Sequence, residues 1–368
     1  MTLFMTEPKH LLHVFSTFGV GGPEVRSCNL INYFGNRYRH TIIAMDDNYE
    51  CKSKLQQMTS VEFHPVVNDK SSLSNNLKTF ISVLNKLKPD LLLTYNFGAV
   101  EWGAANAWVN RTPHFHWEEG FGPEEVTQQF KRRIYVRRIF LARTKKIVAV
   151  SRSLEKIAHN EWKFSPHKVA YIPNGVNLPK FSQSRGENID ETVVIGTVAK
   201  LRPEKNIARM IRCFAVASQD CKAKLVIVGA GTEAKALQAL VTKLNISLKV
   251  EFTGYQNDPS EFVKSFDIMA ISSDTEQMPI AVLEAMAAGC PVVGTDVGDI
   301  REMLAESNRS YLCAASDETA FTNNLKSLMS NKPLRNAIGA DNLIRCAAYF
   351  DEQVMFEKYQ NLYDLKIL

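Results

Sequence analysis

The chain repeats one pattern along almost its whole length: a short apolar run followed, in most cases, by a helix-like segment of ten or more residues. Such apolar runs are typical of buried parallel strands, and the segments between them are long enough for connecting helices. Nine runs stand out: HLLHVFS, HTIIAM, DLLLTY, KKIVAVS and KVAYIP in the first half, then TVVIGTVA, AKLVIVG, DIMAIS and CPVVGT. The pattern predicts an α/β protein whose parallel sheets carry helices on both faces.

The pattern breaks once, in LPKFSQSRGENIDET over residues 178–192. This stretch is polar and has no helix or strand period, so we interpret it as a linker. A length of 368 residues also exceeds what one core usually holds. We therefore predict two Rossmann-like domains, 1–178 and 179–350, and a last helix within 351–368. Ligands of such folds bind at the carboxyl ends of the strands, so we expect a binding cleft there.

Composition narrows the class of protein. A net charge of +5 is mild, and we expect no nucleic-acid partner. Seven scattered cysteines without a CxxC pair favour a reducing compartment and argue against a zinc site. The start, MTLFMTEPKH, has no apolar export core, and no apolar run is long enough to cross a bilayer. We expect a cytoplasmic protein that can contact the inner face of the cell membrane.

Glycine-rich turns follow several predicted strands. They are STFGVGGPE, with Gly21 and Gly22, then VGAGTEA after Val228, and TGY, with Gly254 and Tyr255. Glycine lets the backbone approach a phosphate, and the following helix offers free N–H groups. Glycine also serves tight turns alone, so each turn by itself is a weak signal.

The segment AKLRPEKN (199–206) follows the first strand of the second domain. Its cations are Lys200, Arg202 and Lys205. Positive charge in this place can neutralise a diphosphate. A solvated basic loop explains the segment equally well, and on this segment alone it is the simpler interpretation.

The segment EQMPIAVLEAMAAG places Glu276 and Glu284 eight positions apart. Pro279 suits the first turn of a helix, which puts Glu276 just before the helix and Glu284 more than a turn inside it. The two would be about 10–12 Å apart along the helix. That spacing suits a ligand with a sugar at one end and a ribose at the other, its phosphates facing the N–H groups of residues 278–281. A helix-capping anion and an unrelated surface charge remain the alternative.

Several segments, in order, resemble glycosyltransferase family 4, a retaining family with the GT-B fold. EQMPIAVLEAMAAGCPVVGTDVGDIRE resembles its EX7E signature, and AKLRPEKN its phosphate loop. GVGGPEVRSCNLINYF, IVAVS, YIPNGVNLPKF, LVIVGAGTEAKAL and VEFTGY resemble its other conserved pieces. FDEQVMFEKYQNLYDL resembles the helix that crosses back to the first domain. The resemblance covers nearly the whole chain and implies two Rossmann-like domains that face each other across a cleft.

The resemblance also implies roles for individual residues. Glu276 would contact the donor sugar and Glu284 the ribose, while Lys200 and Lys205 would hold the diphosphate. The positions it implies on the donor side are Gly21, Gly22, Lys200, Lys205, Gly254, Tyr255, Glu276, Gln277, Met278, Pro279, Ile280 and Glu284. The sequence departs from the family pattern where Lys200 replaces Arg, and where Gln277 and Asp299 replace Gly.

The family often has a catalytic-site His at the end of the fifth strand of the first domain. Here the corresponding region is RTPHFHWEEGFGPEE (111–125), which does not align uniquely. Strand alternation puts His114 and His116 on one side of the strand. We predict that His116, nearer the strand end, is the catalytic contact, together with Glu276, Lys205 and Lys200. Glu119 is the second candidate, and it would lie with His114 on the acceptor side.

Residues 126–150 carry eight Lys or Arg and no acidic residue. A basic helix of this kind can rest on anionic lipid. Its cations surround the helix, however, and an apolar stripe should be buried: Val126, Phe130, Ile134 and Leu141. A core-packed helix with solvated charges is an equally good interpretation.

The resemblance implies a retaining, metal-independent glycosyltransferase that builds surface polysaccharide, lipopolysaccharide or glycolipid. Such an enzyme would need no cofactor. Its donor would be a nucleotide sugar, with a UDP-sugar expected first and a GDP-sugar as the alternative. Its acceptor would be a glycan or a lipid-linked acceptor. The sequence contains no Asp-x-Asp motif for metal-bridged phosphates, so we predict no metal site. A GT-B epimerase and a non-catalytic nucleotide-sugar-binding protein are the alternatives.

Overall fold

The computed structural model describes residues 7–57, 59–66, 72–109, 112–121, 125, 129–181 and 192–365. The chain divides into two compact units. Unit 1 comprises Met1–Pro173 together with Phe356–Leu368, and unit 2 comprises Asn174–Met355. The change from unit 1 to unit 2 thus lies at Pro173–Asn174, a few residues before the predicted linker.

Unit 1 is built on a parallel sheet of seven strands. They are β1 Lys9–Phe15, β2 Tyr38–Ala44, β3 Val61–Phe63, β4 Leu91–Tyr95, β5 His114–Glu118, β6 Lys146–Ala149 and β7 Val169–Tyr171. Their order in the sheet is β3-β2-β1-β4-β5-β6-β7. The connecting helices are α1 Gly22–Phe34, α2 Leu73–Leu87, α3 Val100–Trp108, α4 Lys131–Phe140 and α5 Arg152–Asn160. The central strands are buried along their whole length, as expected for strands covered on both faces.

Unit 2 is built on a second parallel sheet, of six strands. They are β8 Val193–Val198, β9 Ala223–Val228, β10 Val250–Gly254, β11 Ile268–Ile271, β12 Val292–Thr295 and β13 Leu312–Cys313. Their order is β10-β9-β8-β11-β12-β13. The helices of this unit are α6 Leu178–Phe181, α7 Ile207–Ala217, α8 Ala234–Lys243, α9 Ser260–Ser265, α10 Ile280–Ala287, α11 Ile300–Met303, α12 Glu318–Ser330 and α13 Lys332–Tyr349.

The last helix, α14, spans Glu352–Tyr363, and from Phe356 onward its residues belong to unit 1. Tyr359 and Tyr363 are buried there. The Trp117 indole N–H donates to the Tyr359 hydroxyl at 2.9 Å, and Lys9 Nζ donates to the Tyr363 carbonyl at 2.8 Å. The end of the chain is thus part of the core of the unit that contains its beginning.

In both sheets the strand order reverses beside the first strand. β1 lies between β2 and β4, and β8 lies between β9 and β11. The loops after two such neighbouring strands lead to helices on opposite faces, which opens a crevice at the carboxyl ends of the strands. In unit 2 these two loops are 199–206, after β8, and 272–279, after β11. The topology therefore brings the basic loop 199–206 and the loop that contains Glu276 to the same crevice.

The basic helix α4 differs from its sequence prediction. Leu141 is fully buried and Ile134 partly, but Phe130 is 49% exposed, so the predicted stripe is wrong at that position. Val126 lies outside the described residues. Arg137 is 1% exposed; its Nε donates to the Glu118 carboxylate at 2.8 Å, and its guanidinium lies 4.8 Å from the Trp162 ring centre. Arg137 is therefore a structural cation of the core. None of the helices in the described ranges is long and apolar enough to cross a membrane.

Candidate functional site

The loop after β8 is shaped by a short 3₁₀ turn over Pro203–Lys205. Asn206 follows with φ +42°, and its side-chain oxygen accepts from the Arg209 N–H, which caps the start of α7. The Ser272 hydroxyl, at the end of β11, donates to the Lys205 carbonyl at 3.0 Å. These bonds fix the position of Lys205 against the neighbouring loop.

Lys205 and Glu276 form an ion pair. Lys205 Nζ lies 2.6 Å from Glu276 Oε1, and the Ser273 hydroxyl donates to the same oxygen at 2.7 Å. The two side chains are 25% and 10% exposed, so the pair is screened from bulk water but can be reached. An accessible carboxylate beside an ammonium group can accept hydroxyl protons while the cation neutralises an anion nearby.

A second layer of polar contacts holds the loop that contains Glu276. Arg209, which is buried, donates to the Ser272 carbonyl at 2.8 Å and to Asp274 Oδ1 at 2.7 Å. The Thr295 hydroxyl donates to the Ser273 carbonyl at 2.6 Å. These supports leave no local pattern in the sequence, because their partners lie 22 to 65 positions away.

Gly298 holds the same loop from the other side. Its φ of +59° is a conformation that side chains disfavour, and a Cβ there would lie 2.2 Å from the Glu276 carbonyl oxygen. The Asp299 N–H donates to the Gln277 carbonyl at 2.9 Å, and Asn174 Nδ2 donates to the Met278 carbonyl at 3.0 Å. The backbone over 276–278 is therefore fixed on both sides.

Helix α10 begins at Ile280, with Pro279 at the N-cap position and not in the first turn. Glu284 lies one turn further on. Its side chain is half-buried, and among the described residues its carboxylate has no hydrogen-bond partner or ion pair. Burial raises the pKa of Glu284 to about 7; Lys180 acts to lower it and Asp258 to raise it. The Glu284 carboxylate is therefore not a solvated surface charge. A carboxylate that is removed from water without hydrogen-bond partners destabilises the folded unit.

The other residues of unit 2 that the sequence predicts on the donor side also lie at the carboxyl edge of its sheet. Lys200 follows β8 and is exposed. Gly254 ends β10 with φ +70°, and its carbonyl accepts from the Gly229 N–H at 2.9 Å. Tyr255, the next residue, is 58% exposed. The structure thus brings these residues to the edge that carries Glu276, as the sequence predicts.

In unit 1, the glycine loop leads into α1. Gly21 is the N-cap and Gly22 the first helical residue. Arg26, one turn further, donates twice to Glu119, with Nη1 2.8 Å from Oε2 and Nη2 on Oε1. The Glu119 N–H donates to Asn96 Oδ1 at 2.9 Å. Glu119 therefore lies just beyond the end of β5, fully engaged by a nearly buried cation.

His114 is almost fully buried, and His116 is fully buried. They are 3% and 0% exposed, and the Thr94 hydroxyl lies 2.8 Å from His114 Nε2 and 2.8 Å from His116 Nδ1. Both point to the same side of β5, as strand alternation predicts, but that side is core. The role of His116 as a ligand contact stays a prediction that its position does not support.

Comparisons with known proteins link both halves of the chain to glycosyltransferases. The sequence model "Glycosyltransferase Family 4" matches residues 20–180, and "Glycosyl transferases group 1" matches residues 180–342. The structure of Anabaena HepE in complex with UDP and glucose superposes with a TM-score of 0.82 at 18% identity, covering 97% of this chain and 99% of that one. The chain has the GT-B fold, and each half of it matches a glycosyltransferase model. Its two Rossmann-like units are the domains of the predicted GT-B fold.

Sequence relatives of this GT-B chain act on varied substrates. N-acetyl-alpha-D-glucosaminyl L-malate synthase of Bacillus anthracis is 27% identical over 51% of this chain and 49% of that protein. UDP-Gal:alpha-D-GlcNAc-diphosphoundecaprenol alpha-1,3-galactosyltransferase of Escherichia coli is 25% identical over 78% of this chain and 81% of that protein. The match to the first thus spans about half its length.

Proposed function

We propose that the chain is a retaining glycosyltransferase that moves a sugar from a nucleoside-diphosphate sugar to a glycan or lipid-linked acceptor. One observation carries the proposal: the Lys205–Glu276 pair lies just before the N-terminus of α10, and Glu284 lies a turn inside that helix without a partner among the described residues. The products would be surface polysaccharide, lipopolysaccharide or glycolipid. A lipid-linked acceptor would also bring the enzyme to an anionic membrane surface.

The donor would lie along the start of α10. The ribose hydroxyls would donate to Glu284, which supports the proposal because its carboxylate would gain the partners that it lacks. The diphosphate would lie between Lys205 and Lys200 and the first N–H groups of the helix, which have no acceptor within the helix. The sugar would then reach Glu276.

The proposed chemistry follows from the charges at these positions. Breaking the bond between the sugar and the diphosphate builds positive charge at the anomeric carbon and negative charge on the departing oxygens. Lys205 and the helix N-terminus stabilise the leaving diphosphate, and Glu276 orients the sugar through its hydroxyls. The acceptor would attack from the face that the diphosphate leaves, with a phosphate oxygen taking its proton, which gives retention.

The names of the relatives support a UDP-sugar donor. The E. coli relative uses UDP-Gal by its name, and the Anabaena structure contains UDP. A screen of thermal stability against UDP, GDP, ADP and TDP tests this choice, since a ligand stabilises the state that binds it. Stabilisation by UDP, followed by sugar transfer from a UDP-sugar only when acceptor is present, supports the proposal. Interconversion of sugar nucleotides without acceptor would indicate an epimerase, and binding without turnover a non-catalytic protein.

Donor binding is expected to need no divalent cation, because Lys205 and Lys200 supply the positive charge. The affinity for the nucleoside diphosphate, measured by calorimetry with and without a chelator, should change less than about twofold. Lys205→Met should instead weaken it at least tenfold, as expected for the loss of a charge-assisted hydrogen bond. A large loss with chelator in the wild type would overturn the metal-independent part of the proposal.

Nucleotide affinity should also depend on pH through Glu284. Its pKa of about 7 means that the carboxyl is increasingly protonated below pH 7 and ionised above it. Since the ionised form accepts the stronger hydrogen bonds, affinity for the nucleoside should rise between pH 6 and 8. Free nucleoside is the ligand of choice, because a diphosphate titrates in the same range. Glu284→Gln should bind weakly with a flat pH profile; a steep profile in that variant would assign the effect to another group.

A further inference from the structure

Two adjacent helices of unit 1 leave large apolar side chains in solvent. Trp108, at the end of α3, is 74% exposed, while Tyr135 and Ile139 on α4 are 57% and 68% exposed. Tyr135 and Ile139 are four residues apart and so lie on one face of the helix. Arg143 Nη1 donates to the Ala107 carbonyl at 3.0 Å, which ties the segment after α4 to the last turn of α3. The bond brings the end of α3, with Trp108, next to the segment that follows Ile139, and exposed apolar side chains of this size can mark interaction surfaces.

A cavity of about 390 Å³ opens beside them. Its lining includes Gly103, Asn106, Thr112, His114, Arg143 and Lys145, and none of the described lining residues is acidic. Asn106 Nδ2 donates to the Thr112 carbonyl at 2.7 Å, but its buried Oδ1 has no hydrogen-bond partner among the described residues. A wall with two cations, Arg143 and Lys145, suits a ligand that carries a phosphate.

Helix α4 and the segment after it carry several cations at their surface. Of the cations in 126–150, Arg133 pairs with Glu125 and Arg137 with Glu118. Five others lie on the outside: Lys131, Arg132, Arg138, Arg143 and Lys145. The Arg138 guanidinium lies 5.3 Å from the Tyr135 ring centre, so cation and aromatic ring form one surface. Aromatic side chains beside Lys and Arg are the combination found at membrane–water interfaces.

We propose that this α3–α4 surface docks on an anionic phospholipid membrane. Trp108, Tyr135 and Ile139 enter the interfacial layer, and the cavity receives a headgroup phosphate between Arg143 and Lys145. The inference rests on the proposed function only in that a lipid-linked acceptor brings the enzyme to a membrane. The docking itself involves unit 1 alone and needs neither donor nor acceptor.

Vesicles of phosphatidylcholine with phosphatidylglycerol, compared with phosphatidylcholine alone, test the docking by flotation. Trp102, Trp117 and Trp162 are at most 1% exposed, so Trp108 should be the residue whose emission shifts to the blue and is quenched by brominated lipid. Binding to the anionic vesicles with quenching that Trp108→Phe removes is the expected result. No binding to anionic vesicles, or quenching that survives Trp108→Phe, would overturn the proposal.

The double variant Arg143→Gln and Lys145→Gln should weaken vesicle binding about 25-fold, since each cation near an anionic surface contributes about fivefold. The matched control removes two exposed cations of α8 in unit 2, Lys235→Gln and Lys243→Gln, and should change binding little. If loss of the Arg143 bond to Ala107 lowers the melting temperature, Lys145→Gln with Ile139→Ser provides a second variant. An equal loss in the α8 control would reduce the effect to net charge and overturn the proposal.

Two further measurements separate this proposal from its alternatives. Stabilisation of the wild type by millimolar glycerol phosphate without vesicle binding would mean a site for a free phosphate compound, which overturns membrane docking. Nucleoside diphosphate affinity should be unchanged in the double variant, because the residues proposed to hold the nucleotide, Lys205, Glu284 and the start of α10, lie in unit 2. Failed nucleotide binding with intact vesicle binding would therefore refute the proposed function and leave the docking surface standing.

Discussion

Glu276→Gln is expected to lower the turnover number for sugar transfer about 10- to 100-fold while leaving affinity for the free nucleoside diphosphate within about twofold. Glutamine keeps the size of the side chain but loses charge-assisted hydrogen bonds, each of which contributes about 1.5–3 kcal/mol. The sugar contacts should strengthen as the anomeric carbon becomes positive, so the loss falls on turnover. The free nucleoside diphosphate carries no donor sugar, so the substitution removes none of its contacts. Its affinity can even rise, because Lys205 is released from its 2.6 Å ion pair.

Glu284→Gln is the matched control, because it makes the same chemical change one turn inside α10. It should weaken the nucleoside diphosphate and the intact donor alike, by about tenfold or more. Calorimetry with the nucleoside diphosphate on both variants distinguishes the two patterns. Loss of nucleotide affinity at Glu276 alone would mean that the donor lies in the opposite direction. Normal affinity and turnover in both variants would reduce the pair to a helix-capping anion and a half-buried charge.

Mild acid should unfold unit 1 before unit 2. Five histidines of the unit 1 sheet are buried: His10, His13, His40, His114 and His116. Burial lowers the pKa of each, in His40 to about 3. The unfolded chain takes up protons near pH 6.5 and the folded chain does not, so stability falls as the pH drops below 6.5. Each strongly shifted histidine costs roughly 2 kcal/mol between pH 7 and pH 5. Three or more such histidines would together remove much of the free energy of unfolding of a typical domain.

The distribution of residues makes this prediction easy to measure. Residues 174–355 contain no histidine and no tryptophan, so both groups report on unit 1. In urea at pH 7 and pH 5, the tryptophan emission transition should move to much lower urea at pH 5. The part of the far-ultraviolet circular dichroism transition that belongs to unit 2 should move little. Equal shifts of both signals would contradict the assignment to buried histidines.

Variants can assign the acid effect to single side chains. His40 Nδ1 lies 2.9 Å from His13 Nε2, and its Nε2 has no hydrogen-bond partner among the described residues. His40→Gln cannot take up a proton on unfolding, so the pH slope of stability should fall by about one proton. His167→Gln, at an exposed position, makes the same change and should leave the slope almost unaltered. A slope that is the same in His40→Gln and the wild type would contradict the assignment.

The sequence predicts most strands, because apolar runs buried on both faces are visible without any partner. All nine quoted runs overlap a strand of the structure. The strands missing from that set include β3 and β13, which have three and two residues. Segments this short have no measurable period, and they form because an existing sheet edge offers them hydrogen bonds. The order of the strands is likewise set by packing between distant segments.

Some features of the candidate site can likewise be predicted from the sequence, and others cannot. The spacing of Glu276 and Glu284 and the basic loop with Lys205 are local signals, and the structure brings all three to one edge of a sheet. The partnership of Arg26 with Glu119 spans 93 positions and leaves no local pattern. His116 looks accessible in the sequence because strand alternation shows which residues share a side, but not what covers that side.

The fixed backbone over 276–278 has a consequence for how donor choice can change. Its carbonyl groups and its closest neighbour, Gly298, are held by the fold, so substitutions that alter the path of the chain here should cost stability. At position 277 this clamp acts through the backbone, whose carbonyl accepts from the Asp299 N–H whatever side chain the residue carries. On the proposed function, Gln277 is therefore a position where selection or engineering can exchange one sugar for another without rebuilding the loop that presents it.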